Sequence, residues 1–529
     1  MNFIEAAIFI LFFAVISVPI ANRFRLPLEV FLVIGSCLIS LAPGLPAFEV
    51  NPRLVFYLFL PPILFHAAYF ISWRDFKLNI RVISLLAFGL VLFTMVTVAF
   101  VTKLILPQLS LAECFLLGAI ISPTDAASAT AIIKKLQAPR RLVTILEGES
   151  LVNDATALIL FRFSLIAIVS GSFSMPVAIT QFITSTVSGA CVGFAIGMVS
   201  VRILQKIHSV AAETTFTFIV PLITYLAAEN LHASGVIAVV VCGIYFGMRL
   251  PELISSKTRI HSKVSWNTFI FIINCFAFAL IGFELPRILK NLPSHEIGHF
   301  VLYGIFISLV VILARLLWVY IAAYLSRILF PFIARKDPMP SLRALITLGW
   351  CGMRGIVSLA SALSLPMFLA SNTAFANRNL IIFLTYCVIV VTLTIPSFTL
   401  PALLRYFKLV DYDNKLKQES LARVRSLEGI NCELYRFAQN EKIPDALLHE
   451  FQNQIDRRIK VIQTQLSETP YSTLNGEYQY IKKLALAAID SERATLLKLR
   501  KLGEIHEEVF NMLLDELDLE EVRAKTLRL

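Results

Sequence analysis

The sequence predicts an all-α polytopic membrane protein: about thirteen transmembrane helices, two inverted six-helix repeats with interrupted crossing helices, and a helical cytoplasmic tail. Composition is the first reason. Of 529 residues, 57% are hydrophobic and only 16% are charged, against about 25% charged in soluble domains. The mean hydropathy is +0.75. The second reason is a series of apolar windows long enough to span a hydrocarbon core about 30 Å thick. The third is that a few ionisable residues lie inside those windows. A charge near the midplane costs at least about 2.5 kcal/mol there, so such residues are rare and mark ion or proton paths.

The windows fall at about 3–20, 27–43, 52–71, 82–105, 110–133, 142–170, 176–201, 213–230, 234–249, 264–285, 298–326, 341–368 and 379–404. The first is too long for a removed signal peptide and lacks its small-residue cleavage site, and nothing resembles an organelle transit peptide. The least distinct break is Glu229-Asn-Leu-His-Ala233. Loop charge sets the orientation. With the N-terminus outside, the inside loops carry about 21 basic residues: Arg23, Arg25, Arg74, Lys77, Arg81, Lys134, Lys135, Arg140, Arg141, Arg202, Lys206, Arg249, Lys257, Arg259, Lys263, Arg327, Arg335, Lys336, Arg343, Arg405 and Lys408. The other side carries about five: Arg53, Lys103, Arg287, Lys290 and Arg378. Windows 1–6 then begin outside and windows 8–13 inside, so the halves are inverted copies around a spacer helix. Interrupted helices at matching positions of such repeats mark the binding sites of secondary transporters. The fifth window is interrupted at Ser122-Pro123-Thr124, and its counterpart, the twelfth, at Gly349, Gly352 and Gly355.

The expected location is the cell (inner) membrane, with membrane lipid as a partner. The net charge of +11 belongs to the inside loops and does not call for nucleic acid. Eight Cys are present, seven of them in apolar segments, where thiols act as small hydrophobes. No CxxC pair or Cys/His cluster has metal-ligand spacing, so neither disulfides nor a resident cofactor are expected. Composition changes near Asp411: the last 119 residues hold about 39 of the chain's charged residues. The domains expected are therefore 1–408, in the membrane, and 409–529, a cytoplasmic helical regulatory tail open to a ligand or protein. Within the tail, Glu492–Leu502 and Ile505–Leu519 read as amphipathic helices, punctuated by Pro444, Pro470 and Gly476.

Three polar groups share one depth. At 1.5 Å per residue, Asp154 lies about 18 Å and Arg354 about 20 Å from the cytoplasmic starts of their windows, and Asp125 about 22 Å from the outside. One site explains this better than three accidents. Desolvation disfavours a bare buried carboxylate, so Asp154 can trade a proton for a hard cation. Ser150, four residues earlier, shares its helical face; Glu147, a turn nearer the cytoplasm, can draw cations to the mouth. Pro123 frees carbonyls, and Thr124 adds a hydroxyl that either ligates an ion or caps backbone. Asp125 offsets the positive end of a half-helix or pairs with a base. Arg354 stays charged and needs a carboxylate, with Glu149 and Asp125 available. Asn153 beside Asp154 leaves that pair of positions one negative charge. Arg162 and Arg315 either line a vestibule or bind lipid headgroups. His66 is a structural residue or, given its titration range, a pH sensor.

At these residues the chain resembles a family. Ile121-Ser-Pro-Thr-Asp-Ala-Ala, Glu147-Gly-Glu-Ser-Leu-Val-Asn-Asp-Ala-Thr-Ala and Gly349-Trp-Cys-Gly-Met-Arg-Gly-Ile-Val-Ser-Leu-Ala are similar to the signatures of sodium/proton antiporters of the NhaP and eukaryotic exchanger type. The similarity covers about residues 1–408, and the charged tail is similar to that of the longer bacterial members. The resemblance implies thirteen spans, a core domain moving against a dimerisation domain, and a homodimer. It implies that Asn153-Asp154 marks electroneutral exchange, that Thr124, Ser150 and Asp154 ligate the cation, and that Glu149 and Arg354 form a buried ion pair. His66 stands where the family often has an acidic residue. The expected activity is exchange of a monovalent cation (Na⁺, with Li⁺ or K⁺ open) for protons, with no enzymatic chemistry. Two alternatives are a tail-regulated cation channel and a membrane sensor. A channel needs a continuous polar lining, whereas the windows supply one midplane cluster. The tail has no Gly-rich phosphate loop or catalytic His motif for signalling, and no Ser/His or paired-Asp arrangement suits a hydrolase.

Overall fold

The computed structural model describes residues 3–24, 27–40, 55–136, 138–170, 175–290, 292–293, 295–329, 339–368, 374–409, 421–430, 434, 437, 445–467, 474–502 and 507–526. Arg25, Arg53, Arg335, Lys336, Pro444, Pro470 and Ile505, used above, lie outside the described residues. Two compact units result, Met1–Val410 and Asp411–Leu529.

The first unit is helical throughout its described elements: α1 (Phe3–Phe24), α2 (Leu28–Ser40), α3 (Leu60–Phe70), α4 (Trp73–Ile105), α5 (Leu111–Ile121), α6 (Ala127–Lys135), α7 (Arg140–Ser170), α8 (Met175–Leu204), α9 (Val210–Asn230), α10 (Gly235–Leu253), α11 (Ser256–Phe283), α12 (Leu285–Lys290), α13 (Ile297–Leu329), α14 (Leu342–Trp350), α15 (Ile356–Leu363) and α16 (Arg378–Phe407). Each apolar window falls on one of these helices or on a broken pair. Among the described residues, seven helices are long and apolar enough to cross a membrane. The chain is thus a polytopic helical membrane protein.

Serine starts several of these helices. Ser72, Ser110, Ser234, Ser255 and Ser341 each accept from a backbone N–H three residues on, satisfying one of the orphan donors of a first turn. At Ser110 the cap is reciprocal, because Glu113 Oε2 accepts from the Ser110 N–H at 2.7 Å. The indistinct break after Asn230 is a true turn. His232 adopts φ 56°, and the Ala233 N–H reaches back to the Ala228 carbonyl at 2.9 Å.

α4 begins at Trp73, well before its apolar window, and runs as a π-helix over Leu85–Leu90. Such a bulge leaves a carbonyl without its usual partner. The Trp318 indole N–H of α13 donates to the Leu85 carbonyl at 3.0 Å, and its ring stacks on Phe93, centroids 5.1 Å apart. The core has two main parts. The larger gathers α5, α6, the start of α7, and α13 through α16. The other surrounds the buried Trp266 with α3, α8, α9 and α10.

The second unit holds α17 (Asp445–Ser467), α18 (Leu474–Lys501) and α19 (Glu507–Thr526). Ile489 and Leu496, a heptad apart on α18, bury against Leu517 of α19. Arg493 joins the same two helices, 2.7 Å from Asp518. Gly476 lies inside the first turn of α18: a helix start tolerates it, and it does not punctuate.

Candidate functional site

Two broken helices build the site. α5 stops at Ile121 and α6 resumes at Ala127, with residues 122–126 outside any regular helix between them. Pro123 has no N–H for the Ala119 carbonyl, and a helix-interior proline costs about 3 kcal/mol. Ser122 Oγ supplies the missing donor, 2.9 Å from that carbonyl. The second break, 351–355, separates α14 from α15. The breaks cross and bond: the Asp125 N–H donates to the Met353 carbonyl at 2.8 Å. This closeness requires glycine. A Cβ on Gly355 would overlap the Asp125 carboxylate, and one on Gly352 would overlap the Arg315 side chain.

Four half-helix ends converge here, and fixed charges answer them. Asp125 Oδ1 accepts from the Ala127 N–H at 2.8 Å, at the positive end of α6, and its other oxygen lies against Gly355, the residue preceding α15. Arg354 is fully buried; its Nε donates to Ile121, the last carbonyl of α5, at 3.1 Å, and its Nη1 to the Gly352 carbonyl. A carboxylate at N-termini and a guanidinium at a C-terminus both oppose the helix dipoles.

α7 crosses this junction and presents two stripes. Glu149 and Asn153, four apart, form the first. Asn153 Nδ2 donates to the Thr124 carbonyl at 3.1 Å and to Thr124 Oγ1 at 2.9 Å. Glu149 accepts from the Thr124 hydroxyl at 2.8 Å and from both Arg315 terminal nitrogens, at 2.5 and 2.9 Å. Arg315 Nη1 also lies 3.3 Å from Thr124 Oγ1. That hydroxyl therefore donates once and accepts twice, its full capacity. Ser150 and Asp154 form the second stripe. Ser150 Oγ accepts from the Ala126 N–H at 3.3 Å. Asp154 is 8% exposed against 1% for Glu149. It has no hydrogen-bond or ion-pair partner among the described residues.

With this geometry in place, comparison with known proteins is decisive. The family model described as "Sodium/hydrogen exchanger, transmembrane" matches residues 8–406. The chain belongs to that family. As an exchanger-family member it is 30% identical over 512 residues to a "Sodium, potassium, lithium and rubidium/H(+) antiporter" of Bacillus subtilis, covering 93% of this chain and 74% of that one. It is 32% identical over 393 residues to the "Na(+)/H(+) antiporter ApNhaP" of Aphanothece halophytica, 73% and 71% of the two chains. Among solved structures, the exchanger fold matches the sodium proton antiporter MjNhaP1 of Methanocaldococcus jannaschii with a TM-score of 0.59 at 19% identity, over 76% of this chain and 97% of the other.

Within this exchanger the structure brings Thr124, Asp125, Glu149, Ser150, Asn153 and Arg354 to one junction and corrects one pairing. The partner of Glu149 is Arg315, not Arg354; both arginines are at most 1% exposed. Arg315 lines no vestibule. The other in-span arginine, Arg162, pairs with Glu229 at 2.8 Å. Glu147 holds Lys134 at 2.7 Å. His66 sits in an aromatic cluster, its ring 4.7 Å from Phe70 and 5.9 Å from Trp266, with its Nε2 buried and unpartnered. Sequence reasoning passed over Ser128 and Ser358, whose buried hydroxyls lack partners in the first turns of α6 and α15. The available signal was that each lies within three residues of its break.

Proposed function

We propose that this protein exchanges a monovalent cation, Na⁺ first among Na⁺, Li⁺ and K⁺, for a proton by electroneutral alternating access, with Asp154 as the carrier. One observation carries the reading. Glu149 is committed to Arg315 and Thr124, Asp125 to helix ends, and Asp154 to nothing. A carboxylate without a partner binds whichever small cation or proton is at hand. Ser150 Oγ, and Thr124 through its carbonyl, are the oxygens nearest in sequence logic to complete a hard-cation shell. The Thr124 hydroxyl is instead a positioning group, because its valences are filled. Loaded with one proton or one cation, the site carries the same charge, so exchange is one for one.

Thirteen crossings in two inverted repeats, a homodimer, an outside N-terminus in the inner membrane and a regulatory cytoplasmic tail complete the proposal. The positive-inside count and the crossed breaks support it. The names of the relatives agree with cation/proton antiport. The test is proton flux in proteoliposomes with each alkali cation in turn. Flux driven by Na⁺ and lost in Asp154→Asn is expected; cation current without proton counterflow would mean a channel.

A further inference from the structure

We propose that a cleft between α4, α7, α13 and the start of α14 seats one anionic phospholipid, with the phosphate against Arg81, Arg141 and Arg327 and an acyl chain in the apolar floor. The cleft has a volume of about 200 Å³. Its depth is apolar, formed by residues such as Leu86, Ile145 and Leu348, while the three arginines come from three different helices. Their carriers hold them in place. Arg327, 9% exposed, donates from Nη1 to the Ala323 carbonyl at 2.7 Å, and Arg141 Nε donates to Asn79 Oδ1 at 3.0 Å. Ser341 and Ala344, in the first turn of α14, line the same cleft and bring the positive end of that helix to it.

The chemistry selects the occupant. Three guanidiniums, which match phosphate oxygens in geometry and charge, favour an anionic headgroup over a zwitterionic one. Basic pockets between transmembrane helices on the cytoplasmic side are the recurring form of such sites, and the charge asymmetry of the loops assigns all three arginines to that side. A soluble phosphate would leave the apolar floor uncovered, so the ligand is an amphiphile. The floor borders the functional junction, because the Leu348 carbonyl accepts from Arg315 Nη2 at 3.4 Å. An occupant thereby braces α14 against α13, beside the Glu149 ion pair.

The test uses the purified full-length protein in detergent, titrated with phosphatidylglycerol or phosphatidylcholine and read by native mass spectrometry, so it does not depend on exchange activity. Wild type should hold one more tightly bound phosphatidylglycerol per chain than the Arg81→Gln/Arg141→Gln/Arg327→Gln variant, and show no such preference for phosphatidylcholine. Ala344→Phe fills the cleft without touching charge and should lose the same lipid, which keeps the test valid if the triple variant folds poorly. Equal retention by wild type and Ala344→Phe overturns the proposal. So does displacement of the lipid by millimolar inorganic phosphate, which would make the site one for free anion.

Discussion

Glu149 and Asp154 lie five residues apart on α7 and have opposite surroundings. Five residues turn a helix by about 500°, which leaves the two side chains roughly 140° apart. Glu149 faces Arg315 and the Thr124 hydroxyl and is sealed by both. Asp154 shares its face with Ser150 and meets no donor. The contrast shows two ways for a membrane protein to keep a carboxylate. A fully paired one fixes the geometry of three helices. An unpaired one keeps its affinity for an outside partner. The paired stripe holds the backbone at Thr124; the open stripe is the one proposed to exchange.

The sharpest way to break the contrast is Asp154→Asn. The amide keeps the size and loses the titratable charge, so sodium-driven proton flux in liposomes should fall to the protein-free baseline while the thermal midpoint holds. Robust exchange by a well-folded variant would remove Asp154 from the mechanism. On the other stripe, Arg315→Ala strands a buried carboxylate and should destabilise by about 3–5 kcal/mol, read as loss of thermal stability. Glu149→Gln combined with Arg315→Met should recover part of that loss, whereas Glu149→Gln should not rescue Arg354→Ala. Equal coupling in both cycles would argue against the observed pairing. Thr124→Val removes the shared hydroxyl and should cost about 1–3 kcal/mol, with Thr124→Ser close to wild type.

Three smaller effects refine the picture. The proposed mechanism has proton and cation compete for Asp154, so apparent sodium affinity should weaken as pH falls, because the protonated carboxyl cannot hold Na⁺. A valinomycin-imposed potential, worth about 2.3 kcal/mol per charge per 100 mV, should leave the end point of sodium-driven exchange unmoved. A dependence would reveal a second titrating group, Asp125 first. Truncation after Lys408 should preserve exchange and shift its pH profile; complete loss in a correctly inserted protein would give the tail a direct part in transport.

Much of this was legible in the sequence, for physical reasons. Apolar runs long enough to span lipid have few soluble explanations, and Pro123 and the glycines at 352 and 355 announce backbone that cannot stay helical. The partner of Glu149 was not legible. Arg315 and Arg354 both lie deep in apolar windows, and linear spacing carries no information on which face each turns toward α7. The early start of α4 was missed because Trp73-Arg-Asp-Phe-Lys77 is too charged for a hydropathy window, although such a stretch is helical when one face is apolar. The engagement of the Thr124 hydroxyl by three neighbours depends on α7 and on Arg315 of α13, 191 residues away in sequence, which only the folded chain brings together.

The π-helical stretch in α4 restricts how this molecule can move. An ordinary α-helix hides its carbonyls, so a neighbour can slip along it by one turn and find an equivalent surface. In the π-helical stretch Trp318 is bonded to the Leu85 carbonyl. Sliding α13 along α4 would therefore withdraw the indole from its acceptor. Trp318 lies three residues after Arg315, so the anchor that fixes α13 also fixes the guanidinium facing Glu149. α4 and α13 should then stay together as a single rigid piece, and any sliding between helices is expected along other faces.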